Sequence, residues 1–192
     1  MKALLRPALT LFATLTVLTG VVYPLAVTGV SQLWFPRQAH GSIVTVNGKP
    51  VGSALIGQQF ISPGNFWGRP SATGPYPNNA AVSSGSNLGP LNPALTDAVK
   101  ARIEALRTAD PGNDQPVPID LVTASGSGLD PDISLAAAYY QATRVAKTRQ
   151  LPLERVKTLI EQHAKRPWLG IFGEPRVNVL TLNLALDVMR GQ

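Results

Sequence analysis

The chain has 192 residues with 17 Lys and Arg against 11 Asp and Glu, giving a net charge of +6, and it contains no Cys. The lack of Cys excludes disulfides and thiolate metal sites, and the presence of only two His argues against a histidine-rich metal site. The first acidic residue is Asp97. The basic balance therefore reflects missing acid in the first half. It is not a clustered basic patch, so no nucleic-acid partner is predicted.

An uncharged stretch between Arg6 and Arg37 predicts a transmembrane helix over residues 8–35. From Ala8 to Phe35, 18 of 28 residues are Ala, Val, Leu, Phe, Tyr or Trp. About 20 apolar helical residues cross a hydrocarbon core of about 30 Å. The alternative is a cleaved signal peptide, but its apolar region runs only about 7–15 residues and ends at a small-x-small cleavage site. The longer stretch found here favours a membrane anchor.

Basic residues flanking this helix predict its orientation. Lys2 and Arg6 precede the helix, and only Arg37 follows it closely. The positive-inside rule then places residues 1–7 in the cytoplasm and residues 36–192 outside it. The sequence therefore predicts a single-pass protein whose main domain is extracytoplasmic.

Two small residues inside the predicted membrane helix are candidate contacts with a neighbouring helix. Thr16 and Gly20 have the small-xxx-small spacing that lets two helices approach closely in a membrane. The alternative is that Thr and Gly are simply tolerated in lipid. A single helix cannot form a transport pathway by itself, so a role in transport requires other chains.

Residues 36–192 have the pattern of an α+β domain. Strands are predicted at Ser42–Val46 and Val51–Phe60 around an Asn-Gly turn, and a further strand at Val117–Thr123. The predicted helices run from Asn92-Pro93 to about Asp110, from an Asp130-Pro131 cap over about 132–149, from Pro152 to about Ala164, and from Asn178 to about Arg190.

An irregular loop is predicted over residues 62–93, where 21 of 32 residues are Gly, Pro, Ser or Asn. A segment of this length without regular structure is usually functional or disordered. It also contains Phe66, Trp67 and Tyr76, and aromatic residues are scarce in disordered linkers. We therefore expect an ordered loop that faces a partner. A flexible linker is the alternative.

No catalytic site is evident in the sequence. Ser125, Ser127 and Asp130 with His163 supply the residue types of a Ser-His-Asp hydrolase, but the G-x-S-x-G pattern is absent. Turn and capping roles explain the serine loop, and His163 suits a helix terminus. P-loop and G-x-G-x-x-G motifs are also absent. A membrane-anchored extracytoplasmic hydrolase and a generic partner-binding domain remain the alternatives.

Several motifs nevertheless closely resemble one family, and they span almost the whole chain. They are RPAL at 6–9, VYPL at 22–25, GSALIGQ at 52–58, GRPSA at 68–72, GSNL at 85–88, LVTASGSGLD at 121–130, RVA at 144–146, EPRVNVL at 174–180 and LNLALD at 182–187. The family is the C subunit (KdpC) of the bacterial Kdp potassium-transporting P-type ATPase.

The resemblance implies an accessory subunit of the bacterial inner membrane, not an enzyme. Its partners would be the K⁺-selecting A subunit, the ATP-hydrolysing B subunit and the small F subunit. The family is described as stabilising their assembly and as a catalytic chaperone that raises the ATP affinity of the B subunit. The resemblance implies no cofactor of its own, with ATP and K⁺ handled by the complex. Because ATP is cytosolic, such an effect would have to cross the membrane as conformational coupling.

Selected residues of these motifs, together with the two helix residues, are the predicted partner contacts. A Glu174–Arg176 ion pair within a turn is one interpretation of residues 173–176, and a lead-in to the last helix is the other. The full set of predicted contacts is Thr16, Gly20, Gln58, Arg69, Ser86, Asn87, Ser125, Ser127, Asp130, Glu174, Arg176 and Asn178.

Overall fold

The computed structural model describes residues 2–167 and 170–189, and it begins with a long apolar helical segment. Helix α1 spans Lys2–Val17, a π-helical turn spans Leu18–Val22, and α2 spans Tyr23–Trp34. Residues Leu4–Trp34 form 31 helical residues with a mean hydropathy of 1.8, long and apolar enough to cross a membrane. The predicted N-terminal apolar helix is therefore confirmed as a candidate membrane span.

The π-helical turn in this segment precedes Pro24. Because proline has no N–H group, it cannot donate to the carbonyl one helical turn earlier. The helix widens just before this position, and the Tyr23 N–H donates to the Leu18 carbonyl five residues back. The two predicted helix contacts lie beside this feature, Thr16 in the last turn of α1 and Gly20 within the π turn.

A short helix and a hairpin follow. Helix α3 spans Pro36–Ala39, and strands β1 (Ile43–Val46) and β2 (Lys49–Ser53) form a two-stranded sheet. Asn47 and Gly48 connect them with φ angles of 52° and 76°, as a two-residue type I′ turn requires. The predicted hairpin is confirmed, but its second strand ends at Ser53 and does not continue to Phe60.

The chain divides into two compact units, residues 1–51 and residues 52–192. Four helices of the second unit are α4 (Pro93–Ala109), α5 (Leu135–Arg149), α6 (Leu153–His163) and α7 (Val179–Met189). Its three short strands are β3 (Asp132–Ser134), β4 (Ala164–Lys165) and β5 (Arg176–Asn178). These strands form an antiparallel sheet in the order β3-β5-β4.

Two predicted elements in this unit are wrong. The predicted strand at 117–123 is a 3₁₀ turn, Ile119–Leu121, because the Asp120 carboxylate folds back to accept bonds from the Ser134 N–H and hydroxyl. The helix expected from Asp130-Pro131 begins only at Leu135, because residues 132–134 pair with β5 and Ser134 supplies the N-terminal cap.

The remaining helices follow their predicted starts. Asn92 caps α4, with Pro93 at its first position, and its side chain accepts the Ala94 N–H at 3.0 Å. Helix α6 begins directly after Pro152. Asn178 caps α7 by accepting the Thr181 N–H. The predicted end of the last helix, Arg190, lies outside the described residues.

One apolar core joins these helices and the sheet. Helices α5, α6 and α7 contribute most of it, and their apolar positions recur at helical spacing. The largest fully buried apolar side chains are Phe66, Leu106, Leu121, Ile133, Val145, Val156, Ile160, Val177, Leu182 and Leu186. Phe66 is unusual in this set because it belongs to neither a helix nor a strand.

Candidate partner-contact surface

The segment between β2 and α4, residues 54–92, contains neither helix nor strand. It is nevertheless fixed to the core. Phe66 is fully buried and Trp67 nearly so, which inserts the middle of the segment between the helices. Buried backbone needs hydrogen-bond partners, and here they come from side chains of α4, α5 and α7.

Two buried amides hold the backbone of Phe66 and Trp67. Asn183 of α7 accepts the Phe66 N–H at 2.8 Å and donates to the Phe66 carbonyl at 3.0 Å. Gln141 of α5 does the same for Trp67, at 2.8 and 3.1 Å. Each amide thus satisfies both polar groups of one residue, as a neighbouring strand would.

Two arginines of α5 hold the carbonyls just before Phe66. Arg144 donates to the Pro63 and Asn65 carbonyls and to the Gln141 side chain. Arg149 donates to the Gly64 carbonyl and to the Asn65 side chain. Arg144 is 3% exposed, and burial lowers its pKa to about 10. Among the described residues its hydrogen-bond partners are oxygens of neutral groups.

Two guanidinium groups lie close to the Trp67 ring. The Cζ atoms of Arg144 and Arg102 are 4.7 and 5.3 Å from the ring centroid, within the range of cation–π attraction. Arg102, from α4, also donates to the Gly68 and Leu121 carbonyls, and burial lowers its pKa. The indole N–H donates to the Ser62 carbonyl at 2.9 Å.

Both halves of the segment are joined to the turn at residues 125–130. Ser84 and Gly57 donate their N–H groups to the carbonyls of Ser127 and Leu129, at 2.9 and 2.8 Å. The Ser71 hydroxyl donates to the Gly128 carbonyl at 2.6 Å. The predicted partner-facing loop at residues 62–93 and the turn at residues 125–130, which carries other predicted contacts, are therefore joined by hydrogen bonds.

Arg69 and Asp130 are brought together within this structure. The Arg69 Nη1 atom lies 3.0 Å from Asp130 Oδ2, and Asp130 Oδ1 accepts the Asp132 N–H. Asp130 therefore stabilises the turn. The helix-capping role predicted for it is wrong. Near them, Ser127 is exposed while the Ser125 side chain is buried.

The other predicted contacts are dispersed. Ser86 and Asn87 are exposed in the 54–92 segment, and Gln58 is partly buried. Asn178 donates to the Ala54 carbonyl and to the Asp132 carboxylate. The predicted pairing of Arg176 with Glu174 is wrong, because Arg176 Nε lies 2.9 Å from Asp132 Oδ2.

The arrangement does not support the hydrolase alternative. His163 Nδ1 contacts the Leu159 carbonyl at 3.0 Å, within its own helix, and the Ser127 hydroxyl accepts the Leu129 N–H. In residues 2–167 and 170–189, no hydrogen bond joins His163 to Ser125 or Ser127. The nucleophile–base contact that such chemistry uses is therefore missing from the described part of the chain.

Three residues that hold the 54–92 segment in place were not predicted from the sequence: Gln141, Arg144 and Asn183. Each is a buried polar residue among the buried apolar residues of its helix. That placement is itself a signal, because buried polar groups require partners. The partners were not readable from the sequence, since they are backbone groups more than 70 positions away.

The outer surface of the 54–92 segment is nearly uncharged and exposes large apolar side chains among polar ones. Arg69 is its only charged residue. Exposed large apolar side chains are spread along it: Leu55, Ile61, Tyr76, Val82 and Leu91. An exposed apolar surface on a rigid base is typical of protein–protein contacts. We refer to the exposed side of residues 54–92 as the contact surface.

Comparison with known proteins identifies the family of the chain. The family described as "K+-transporting ATPase, c chain" matches residues 5–188. The potassium-transporting ATPase KdpC subunit of Polaromonas naphthalenivorans is 68% identical over 190 residues, 99% of this chain and 97% of that protein. Those of Janthinobacterium sp. (strain Marseille) and Herpetosiphon aurantiacus are 65% and 60% identical, with at least 97% of each chain covered. The chain therefore belongs to the KdpC family, the c chains of K⁺-transporting ATPases.

Proposed function

We propose that this chain is a non-catalytic subunit that stabilises the assembly of the K⁺-selecting A subunit with the ATP-hydrolysing B subunit and the F subunit. The observation that carries this proposal is the contact surface. Its segment has a single charged residue, Arg69, and exposed apolar side chains, and two amides and three arginines hold it on the core. A partner that docks there meets a preorganised surface and does not have to order a loop.

The proposal also assigns a position in the membrane to the helix and to the domain that follows it. In the proposed arrangement, residues 8–35 cross the bacterial inner membrane, residues 1–7 lie in the cytoplasm, and the mixed helix and sheet domain lies outside. The helix packs beside the A subunit through the face that carries Thr16 and Gly20, and the domain sits over the outer mouth of that subunit. The lysine and arginine before the span support this orientation.

An effect on ATP is proposed to be indirect. The chain lacks P-loop and G-x-G-x-x-G motifs, and the proposed orientation leaves only about seven N-terminal residues on the cytoplasmic side. The chain then raises the ATP affinity of the B subunit by favouring one conformation of the assembled complex. Such coupling is typically about 1–3 kcal/mol. ATP and K⁺ are bound by the partner subunits.

Charge substitution on the contact surface tests the assembly role. Ile61 and Ile171 are equally exposed, at 75% and 77%, but only Ile61 belongs to the contact surface. We expect Ile61→Asp to reduce co-purification of the A and B subunits with the tagged chain and to raise the external K⁺ needed for growth, while Ile171→Asp leaves both unchanged. Equal behaviour of the two variants would contradict the proposal.

The orientation has a separate test, since the chain has no Cys. Ser86→Cys places a single thiol on an exposed part of the contact surface. In intact spheroplasts we expect a membrane-impermeant maleimide to label it. Labelling only after the membrane is opened would reverse the proposed topology.

A further inference from the structure

A groove of about 530 Å³ lies apart from the contact surface, between the turn after α4 and one face of α5. The turn contributes Asp110–Gln115. Helix α5 contributes Tyr139, Tyr140, Thr143 and Lys147, whose spacing places them on one side of the helix. We refer to these residues as the tyrosine groove.

The turn that forms one wall of the groove is ordered by Asn113. Its Nδ2 atom donates to the Asp110 carboxylate at 3.0 Å and to the Tyr140 carbonyl at 3.1 Å. Its Oδ1 atom accepts the Gln115 N–H at 3.2 Å. These bonds hold the Asp110 carboxylate next to the start of the α5 wall.

The Tyr140 hydroxyl is the unusual group of the groove. Tyr140 is 4% exposed, and its hydroxyl is buried without a hydrogen-bond partner in the described part of the chain. Burial, with the nearby Asp110 charge, raises the pKa of Tyr140, so the hydroxyl keeps its proton. Phenylalanine would fill the same space without leaving a polar group unpaired. The hydroxyl therefore points to a partner that the described residues do not supply.

Most charged side chains that line the groove are acidic. The charged lining groups are Asp110, Asp114 and one cation, Lys147, while Arg107 and Arg144 act on the Tyr140 hydroxyl without lining the groove. Within residues 2–167 and 170–189 none of the three lining groups has an oppositely charged group within 4.0 Å. The described residues also hold no cluster of three or more metal-ligating side chains. The groove is much larger than a bare ion, and aromatic rings favour an organic cation with an apolar stem.

We propose that the tyrosine groove receives a Lys or Arg side chain from another subunit of the same complex. The head group of that side chain pairs with Asp110 and Asp114 and donates a hydrogen bond to the Tyr140 hydroxyl, and its stem lies along the tyrosine rings. This proposal rests on the assembly role proposed above, and it adds a second contact of different chemistry to the apolar contact surface.

Tyr140→Phe separates a binding role from a structural one. In the purified full-length chain, we expect an unchanged or higher thermal midpoint, because the lost hydroxyl has no hydrogen-bond partner among residues 2–167 and 170–189. In the assembled complex, the variant should bind its partners roughly tenfold or more weakly, because a hydrogen bond to a charged group is lost. Thr158→Val, which removes an exposed hydroxyl of α6 outside both the groove and the contact surface, is the control.

Asp114→Asn tests whether the negative charge of the groove contributes to binding of another subunit. Asp114 is exposed, so neutralising it should leave the fold intact. We expect the complex to dissociate at lower NaCl concentration than wild type, whereas Glu154→Gln, at an exposed carboxylate outside the groove, has no such effect. If neither Tyr140→Phe nor Asp114→Asn weakens an otherwise normal complex, the groove is not a contact and the assembly role stands. If the wild-type chain itself fails to co-purify, the assembly role fails.

A photo-crosslinking residue at Gln115, on the groove wall, identifies the occupant. We expect a crosslink to a peptide of another subunit that contains Lys or Arg. A crosslink only to lipid, or to a peptide lacking both residues, would overturn the proposal. So would a finding that Tyr140→Phe alters K⁺ binding by the isolated chain and leaves assembly unchanged, because the occupant would then be the ion.

Discussion

Replacing Asn183 by leucine provides the sharpest test of how the contact surface is ordered. Leucine has a similar size but no polar atoms, so Asn183→Leu removes both partners of the Phe66 backbone. Phe66 is fully buried, and water cannot replace those partners without local unfolding. Each unpaired buried group costs about 1–3 kcal/mol, so we expect a loss of about 2–6 kcal/mol.

This loss is large compared with a total domain stability of about 5–15 kcal/mol. For a domain of this size, about 1 kcal/mol corresponds to about 2–4 °C in melting temperature. The full-length chain in detergent, followed by far-UV circular dichroism, should therefore melt at least about 4 °C below wild type. Gln162→Leu, at an exposed amide of α6, is the matched control and should stay within about 0.5 kcal/mol.

The paired variant Gln141→Leu extends the test. Gln141 holds Trp67 as Asn183 holds Phe66, so either variant releases the same short stretch of backbone. In the double variant Asn183→Leu/Gln141→Leu, the second substitution should then lower the free energy of unfolding by less than it does alone. The expected coupling is about 0.5–3 kcal/mol. Melting of Asn183→Leu at the wild-type temperature, or strictly additive losses, would refute the inference that these amides order the segment jointly.

Three further predictions concern the loops and helix ends. Gly128→Ala should destabilise the domain by more than about 1 kcal/mol in denaturant titrations, because Gly128 has a φ of +69° and a Cβ atom there would lie 2.5 Å from the Ser84 carbonyl oxygen. Tyr139→Phe should raise the pKa of Glu161 towards its ordinary value in NMR titrations, because the Tyr139 hydroxyl bond is the main cause that lowers it. Asn178→Ala should cost about 0.5–2 kcal/mol in thermal unfolding, since it removes the cap of α7.

The helices were largely predictable because their signals are local. Asn92-Pro93, Pro152 and Asn178 each mark a helix start through groups within three residues. The Asn47-Gly48 turn is equally local. The apolar N-terminal helix was predictable from length and hydropathy alone.

The short strands were not predictable, because pairing between distant residues creates them. Residues 132–134 are extended since they bond to residues 176–178, and that contact displaces the start of α5 from Asp130 to Leu135. Arg176 likewise forms its ion pair with Asp132 on the neighbouring strand and not with Glu174, two residues before it in sequence. Likewise, an irregular segment rich in Gly and Pro is ordered here by amides and guanidinium groups that lie far along the chain.

The contact surface lies far in sequence from the side chains that hold it on the core. This distance affects how the protein folds during synthesis. Phe66 leaves the ribosome 117 residues before Asn183, its hydrogen-bond partner. The segment therefore emerges early and stays without its supports until the last helix has been synthesised. In the proposed topology, that helix must also have crossed the membrane. A chain truncated before α7 would present an unformed surface to its partners, so assembly through this surface would be restricted to complete chains.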